Sequence, residues 1–329
     1  MPEYCVTGGT GFIASHLIRA LLAAGHTVRA TVRDPEDEEK VGFLWELEGA
    51  GERLQLLRAD LMVEGSFDEA VSGVDGVFHA ASPVVVVAGA GGKDDDVQET
   101  LVDPIVRGAA NVLRSCARAP ERPRRVVFTS SCSCVRYCHA NTLNESHWSD
   151  ADYCKSYNLW YAYAKTVAEK EAWRLAKEHG IDLVVVNPSF AYQHHTHRPR
   201  HAQRSVRSIS MIFGLAHGTH GTNYPNTTIG FVHVDDVVLC HVLAMEDARA
   251  SGRLICSCDV AHWSEILGSL RERYPQYPIP TECSAQKGDD RPHRMDTSKI
   301  RALGFPPFLS VQQMFDDCIK SFQDKGLLP

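Results

Sequence analysis

A chain of 329 residues with 44% hydrophobic and 23% charged residues has an ordinary globular composition and the length for one large domain, or a domain with a smaller lobe. The formal charge of −7 argues against nucleic acid or an anionic membrane as the main partner, and eleven cysteines over this length do not make the disulfide framework of a small secreted domain. The start has no basic or apolar leader pattern and no apolar run reaches membrane-spanning length, so the expectation is a cytoplasmic chain with reduced thiols.

In chain order, Tyr4–Thr7 is a short strand, followed by a glycine turn and a helix from Phe12 to Ala24 that Gly25 ends. Thr27–Val32, Leu54–Ala59, Gly76–Ala80, Arg125–Thr129 and Leu183–Asn187 are further strands, with helical stretches between them. Strands alternating with helices predict an α/β, doubly wound parallel sheet of the Rossmann type, carried by residues 1–190. Residues 191–329 are expected to form mainly a substrate-binding lobe, with about 228–245 returning to the first domain. The pairs Cys132/Cys134 and Cys256/Cys258 are too close for a zinc knuckle and are read as free thiols.

The first strand runs into Thr7-Gly8-Gly9-Thr10-Gly11-Phe12-Ile13-Ala14, a glycine pattern in the strand-to-helix context that dinucleotide binding requires. Gly8 permits the tight turn, Gly11 lets a pyrophosphate reach the backbone, and Ala14 lets helix and strand pack closely. Thr10, Phe12 and Ile13 complete the phosphate-facing turn at the positive end of the helix. The second strand ends in Arg33 rather than an acidic residue, which suits the 2′-phosphate of NADPH; Lys40 offers a second positive charge, and Asp34 counts slightly against. Asp60, Leu61, Ala80, Ala81 and Ser82 also follow strand ends, where open α/β sheets bind ligands, although each suits a cap or loop equally well.

Tyr161 and Lys165 are four apart near the start of a long helix, on one face. A neighbouring ammonium stabilises the phenolate and makes proton transfer feasible near neutral pH. Ser131 follows a strand and is placed to donate to a substrate oxygen on which charge develops. Tyr163 competes with Tyr161 but is only two residues from Lys165, and Asn111 has a packing or capping role ahead of anchoring a relay water.

Taken together, Tyr4–Ser15, Val63–Ser82, Asn144–Lys177, Thr228–Asp236, Ser251–Glu265 and Gly304–Leu328 make the chain resemble the extended short-chain dehydrogenases of plants. That group includes dihydroflavonol and cinnamoyl-CoA reductases, and the likeness is strongest to its tetraketide α-pyrone reductase branch, which serves sporopollenin synthesis. The resemblance implies Ser131, Tyr161 and Lys165 as the catalytic trio, and Arg33 and Lys40 as 2′-phosphate ligands. It also implies Asp60 and Leu61 beside the adenine, Ala80–Ser82 at the ribose or phosphates, and Pro188, Ser189 and Ala191 along the nicotinamide. The implied activity is reduction of a polyketide-derived ketone with NADPH, by a monomer or weak homodimer.

The chain departs from the group over residues 191–223, a His- and Arg-rich block where an apolar lid is expected, and Val84–Gly92 is more apolar than its counterpart. His194, His195, His197 and His201 in the block lack an accompanying carboxylate or cysteine, so no metal is expected. The block leaves an NADPH-binding protein with impaired catalysis as an alternative reading. A nucleotide-sugar epimerase is another, and Arg33 argues against it.

Overall fold

The computed structural model describes residues 1–82, 97–192, 223–285 and 290–328; the 84–92 loop, the histidine cluster and nearly all of the 191–223 block lie outside the described residues. Strands β1 (Glu3–Thr7), β2 (Thr27–Val32), β3 (Leu54–Arg58), β4 (Gly76–His79), β5 (Arg125–Thr129) and β6 (Leu183–Pro188) form one sheet. Its order is β9-β6-β5-β4-β1-β2-β3, where β9 is Gly252–Cys256, and all six pairings are parallel. The chain thus winds one way from β1 to β3 and the other way from β4 onward, which opens a crevice at the carboxyl ends beside β1 and β4.

The strands read as nearly continuous apolar runs because helices cover both faces. On one face, α1 (Phe12–Ala23) buries Leu17, Ile18, Leu21 and Leu22. On the other lie α2 (Asp103–Arg118) and α3 (Trp160–His179). Ala164, Ala168, Ala172 and Ala176 recur every fourth residue along α3 and are all buried, so a stripe of small side chains lets α3 pack closely against its neighbours. That leaves the adjacent stripe of Tyr161, Lys165 and Glu169 for chemistry and polar contacts.

A smaller lobe is built on a second sheet of β7 (Phe190–Tyr192), β8 (Thr228–His233) and β10 (Asp259–His262). Phe231, Trp263, Phe315 and Phe322 are buried in its own core, with the Phe231 and Trp263 rings edge to face at 5.4 Å. The boundary expected from the sequence needs one correction. The return to the first domain does not end near 245: after helix α4 (Val234–Glu246), β9 pairs with β6 as an edge strand of the large sheet. Gly252–Cys256 has a charged arginine at its second position, which interrupts its apolar signal; parallel pairing to β6 makes it a strand.

All eleven cysteines are free; Cys132, Cys134 and Cys256 are buried and Cys258 half-buried. Among the described residues there is no group of three or more potential metal ligands, and no helix is long and apolar enough to cross a membrane.

Candidate active site

The glycine turn is built so that side chains cannot occupy it. Gly8 has φ +72°, in the left-handed region, and a Cβ there would lie 3.0 Å from both Cα and Cβ of Ala81. A Cβ on Gly11 would lie 2.9 Å from the Gly8 carbonyl oxygen, which already accepts the Gly11 N–H. Thr31 anchors the turn from β2: its hydroxyl oxygen accepts the Gly8 N–H at 3.2 Å and its carbonyl accepts the Gly9 N–H at 2.8 Å. The N-cap residue of α1, Gly11, has no side chain to cap it, and no acidic residue sits in its first turn. The result is a concave run of backbone N–H groups at the positive end of a twelve-residue helix, the chemistry a pyrophosphate needs.

Phe12 packs against the core of the small lobe and Ile13 against that of the large sheet, so both offer the crevice their backbone rather than their side chains. Thr10 is half-buried beside them. Ala81 is held over Gly8 by its N–H donating to Thr7 Oγ1 at 3.0 Å, and Thr7 Oγ1 is in turn 2.8 Å from His79 Nδ1. Burial, and secondarily the Lys165 charge, push the His79 imidazole down to about 3, so it is neutral. Ala80 is half-buried against the core, and the Ser82 hydroxyl is buried without a hydrogen-bond partner among the described residues. An orphaned buried hydroxyl at a strand end fits a polar ligand.

Arg33 is exposed, and while its carbonyl accepts from Arg58 Nη1 at 3.4 Å, its guanidinium makes no hydrogen bond or ion pair with any described residue. Asp34, the residue that counted against a 2′-phosphate, is tied to Arg58 at 2.8 Å. Lys40 lies close enough for the Arg33 charge to be felt, but its ammonium is already bonded to Asp37, and that bond pushes its pKa up. Asp60 is fixed by Ser66, whose hydroxyl donates to its carbonyl at 2.7 Å, and the Asp60 carboxylate accepts the Met62 N–H. Leu61 is fixed by Asn111, whose buried amide donates to the Leu61 carbonyl at 2.8 Å. Gly108 lies against the Leu61 side chain, where a Cβ would be 3.1 Å away. Asn111 therefore orders the Asp60–Leu61 strand end.

At the other side of the crevice, Lys165 is 3% exposed and donates to the Thr129 carbonyl at 3.0 Å. Its Nζ lies 5.4 Å from the centre of the Phe128 ring. Desolvation pushes its pKa down, while Cys134 and Glu169 act the other way. Tyr161, one turn earlier, is 38% exposed. Tyr163 is elsewhere: its ring packs edge to face on Trp160 and carries the Lys155 ammonium at 4.6 Å. Ser131 follows β5, and its hydroxyl oxygen accepts the Ser133 N–H at 3.1 Å. Its own O–H proton is not used in that bond and remains available as a donor.

Pro188 ends β6 at the same edge, and its carbonyl accepts the Cys132 N–H. Ser189 and Ala191 are arranged differently from the nearby glycine turn. The Ser189 hydroxyl is buried and donates to Ser257 at 2.7 Å, while Ala191 belongs to β7 of the second sheet and packs on the core. Thr7, Thr31, His79, Glu169, Asn187 and Arg253 are not marked by the sequence as functional residues, yet each holds a strand end in place. Only Glu169 carried a signal, since it repeats the four-residue spacing of Tyr161 and Lys165.

A family model described as the NAD dependent epimerase/dehydratase family matches residues 4–255. Tetraketide alpha-pyrone reductase 2 of Arabidopsis thaliana is 59% identical over 332 residues, covering 100% of both chains. Cinnamoyl-CoA reductase 1 of Petunia hybrida is 43% identical, over 99% of this chain and 93% of its own. The crystal structure of vestitone reductase from alfalfa (Medicago sativa) matches with a TM-score of 0.82 at 33% identity, covering 100% of each chain.

Proposed function

Because the chain belongs to the NAD dependent epimerase/dehydratase family, we propose that it is an NADPH-dependent reductase of a ketone or aldehyde on a plant polyketide- or phenylpropanoid-type substrate. The observation that carries the reading is the strand end at β5, where Ser131 keeps a spare donor and a buried lysine is anchored on Thr129, with Tyr161 one helical turn from that lysine. Tetraketide α-pyrones are the substrate class favoured, on the strength of the full-length likeness to a reductase named for them.

The residues present fit the dinucleotide. Gly8–Ile13 would hold the pyrophosphate through backbone N–H groups, Arg33 the 2′-phosphate with Lys40 behind it, and Asp60 and Leu61 the adenine side. Ala80–Ser82 would face the ribose or phosphates, and Pro188 with the backbone of Ser189 and Ala191 would border the nicotinamide. When bound, NADPH supplies the hydride. Ser131 donates its free O–H to the substrate carbonyl oxygen, where negative charge develops. Tyr161 then passes its phenolic proton to that oxygen, leaving an alcohol and a phenolate that recovers its proton from solvent. Lys165 stabilises that phenolate by its charge, and its fixed seat on Thr129 keeps the ammonium one turn below Tyr161.

The test is NADPH oxidation by the purified protein against tetraketide α-pyrone, dihydroflavonol, cinnamoyl-CoA and aryl aldehyde substrates, with NADPH binding measured in parallel. Turnover of the pyrone above the others is expected. Tight NADPH binding with no turnover of any carbonyl, or a preference for NADH, would overturn the reading.

A further inference from the structure

Below the reacting groups lies a buried polar cluster that the chemistry just described does not use. Glu169 is fully buried on α3, one turn past Lys165. One carboxylate oxygen, Oε2, accepts two hydrogen bonds: from the Ser130 hydroxyl at 2.5 Å and from Asn187 Nδ2 at 2.8 Å. Ser130 directly precedes Ser131, and Asn187 directly precedes Pro188. The same Asn187 amide also donates to the Ser131 carbonyl at 3.1 Å. One oxygen thus ties together the ends of β5 and β6, and the tie runs to the helix that carries Tyr161 and Lys165.

The other oxygen, Oε1, accepts from Arg253 Nε at 2.5 Å. Arg253 is itself 6% exposed and comes from β9, next to β6. Its Nη1 donates to the carbonyls of Glu145 and His147, and its guanidinium lies 3.9 Å over the Trp148 ring. Removing a carboxylate and a guanidinium from water is expensive, and an apolar pair of the same volume often serves stability as well or better. An ion pair placed under three reacting segments is therefore better explained by what it orients than by what it stabilises.

We propose that Glu169, neutralised by Arg253, is a positioning residue that sets the Ser131 donor and the Pro188 strand end relative to Tyr161 and Lys165. The proposal rests on the reduction reading above for its kinetic consequences, and on geometry alone for its effect on bound NADPH. Glu169→Gln keeps the size but exchanges one acceptor oxygen for a donor, so either Ser130 and Asn187 or Arg253 and Trp173 lose the oxygen they donate to. Ser130→Ala cuts the link from Glu169 to the serine strand, together with a 3.2 Å contact to Cys134 Sγ, and leaves the Glu169–Arg253 pair whole.

The experiment compares wild type, Glu169→Gln and Ser130→Ala by kcat per NADPH-binding site, by the primary isotope effect on kcat with deuterium at the transferred position of NADPH, and by the emission of bound NADPH. Expected are retained stoichiometric NADPH binding, a fall in kcat per site of about 10-fold for Ser130→Ala and about 100-fold for Glu169→Gln, and a larger isotope effect in both, because misplaced reacting groups slow the hydride step itself. A loss of activity that only tracks the loss of NADPH-binding sites, with per-site kcat and isotope effect unchanged, would overturn the proposal in favour of a purely structural role. Should Glu169→Gln fail to fold, Ser130→Ala decides alone. If wild type turns over no carbonyl, the reduction reading is what fails. The positioning role then stands or falls on whether the bound-NADPH emission of the variants differs from that of wild type.

Discussion

The two sides of the crevice are built from different materials. On the β1–β3 side the groups proposed to face the ligand are backbone N–H groups, two glycines and an exposed arginine, each within a few residues of a strand end. On the β5–β6 side they are side chains on a buried polar scaffold whose members are far apart in the chain: 36 residues between Thr129 and Lys165, 39 between Ser130 and Glu169, and 84 between Glu169 and Arg253. The first kind of site tolerates change in its surroundings because the backbone itself is the ligand. The second kind transmits any change in a buried partner to the reacting atoms.

The largest effect expected from this contrast is at Tyr161. Tyr161→Phe removes the proposed proton donor and leaves the cradle untouched, so kcat should fall by about 10²- to 10⁴-fold while NADPH affinity, read by fluorescence titration, stays within a few-fold. Retained turnover would remove Tyr161 from the chemistry. Next comes Arg253→Met, which strands Glu169 as a fully buried unpaired carboxylate; a loss of about 3–5 kcal/mol of stability is expected from urea unfolding. Adding Glu169→Gln to that variant should restore part of the loss. Additive effects would show that the two charges do not act as a pair.

Acid should weaken both sides through buried histidines. His79 under the cradle is held down to about 3 and His241, bonded to Thr129 beneath the catalytic strand, to about 4, both chiefly by desolvation. Each is neutral when folded and takes up a proton more readily unfolded, so stability falls as pH drops below the ordinary histidine value near 6.5. At pH 5 the loss is about 2 kcal/mol per residue. Asp236 acts in the opposite sense. Burial raises its carboxyl to about 6, so its contribution is greatest below the ordinary aspartate range and is lost as pH rises through 6, which offsets part of the acid loss. A urea midpoint that does not move downward between pH 7 and pH 5 would contradict this account.

The smallest effects belong to the exposed charges. Arg33→Ala should weaken NADPH binding by about 10- to 100-fold and leave NADH binding unchanged, since a charge-assisted contact to the 2′-phosphate is lost. Lys40→Ala should cost less than Arg33→Ala, because the Lys40 ammonium is already engaged by Asp37. Equal losses at the two positions would mean that Lys40 leaves Asp37 for the phosphate.

Much of this architecture could be read from residue order. A strand, a glycine turn and an apolar helix are adjacent in the chain, and their identity follows from local steric and periodic rules, as Gly8 and Gly11 illustrate. The same holds for Tyr161 and Lys165, whose common face is a property of one helix. What the tertiary structure alone decided depends on contacts between distant segments. Parallel pairing made the short run Gly252–Cys256 an edge strand of the large sheet, where the sequence pattern ended the return near 245. Arg58 pairs with Asp34 beside the end of β2, while the Arg33 guanidinium has no partner among the described residues. Glu169, Asn187 and Arg253, ordinary polar residues in their own segments, became one cluster only when α3, β6 and β9 packed together, because burying a polar group obliges it to find partners wherever the fold brings them.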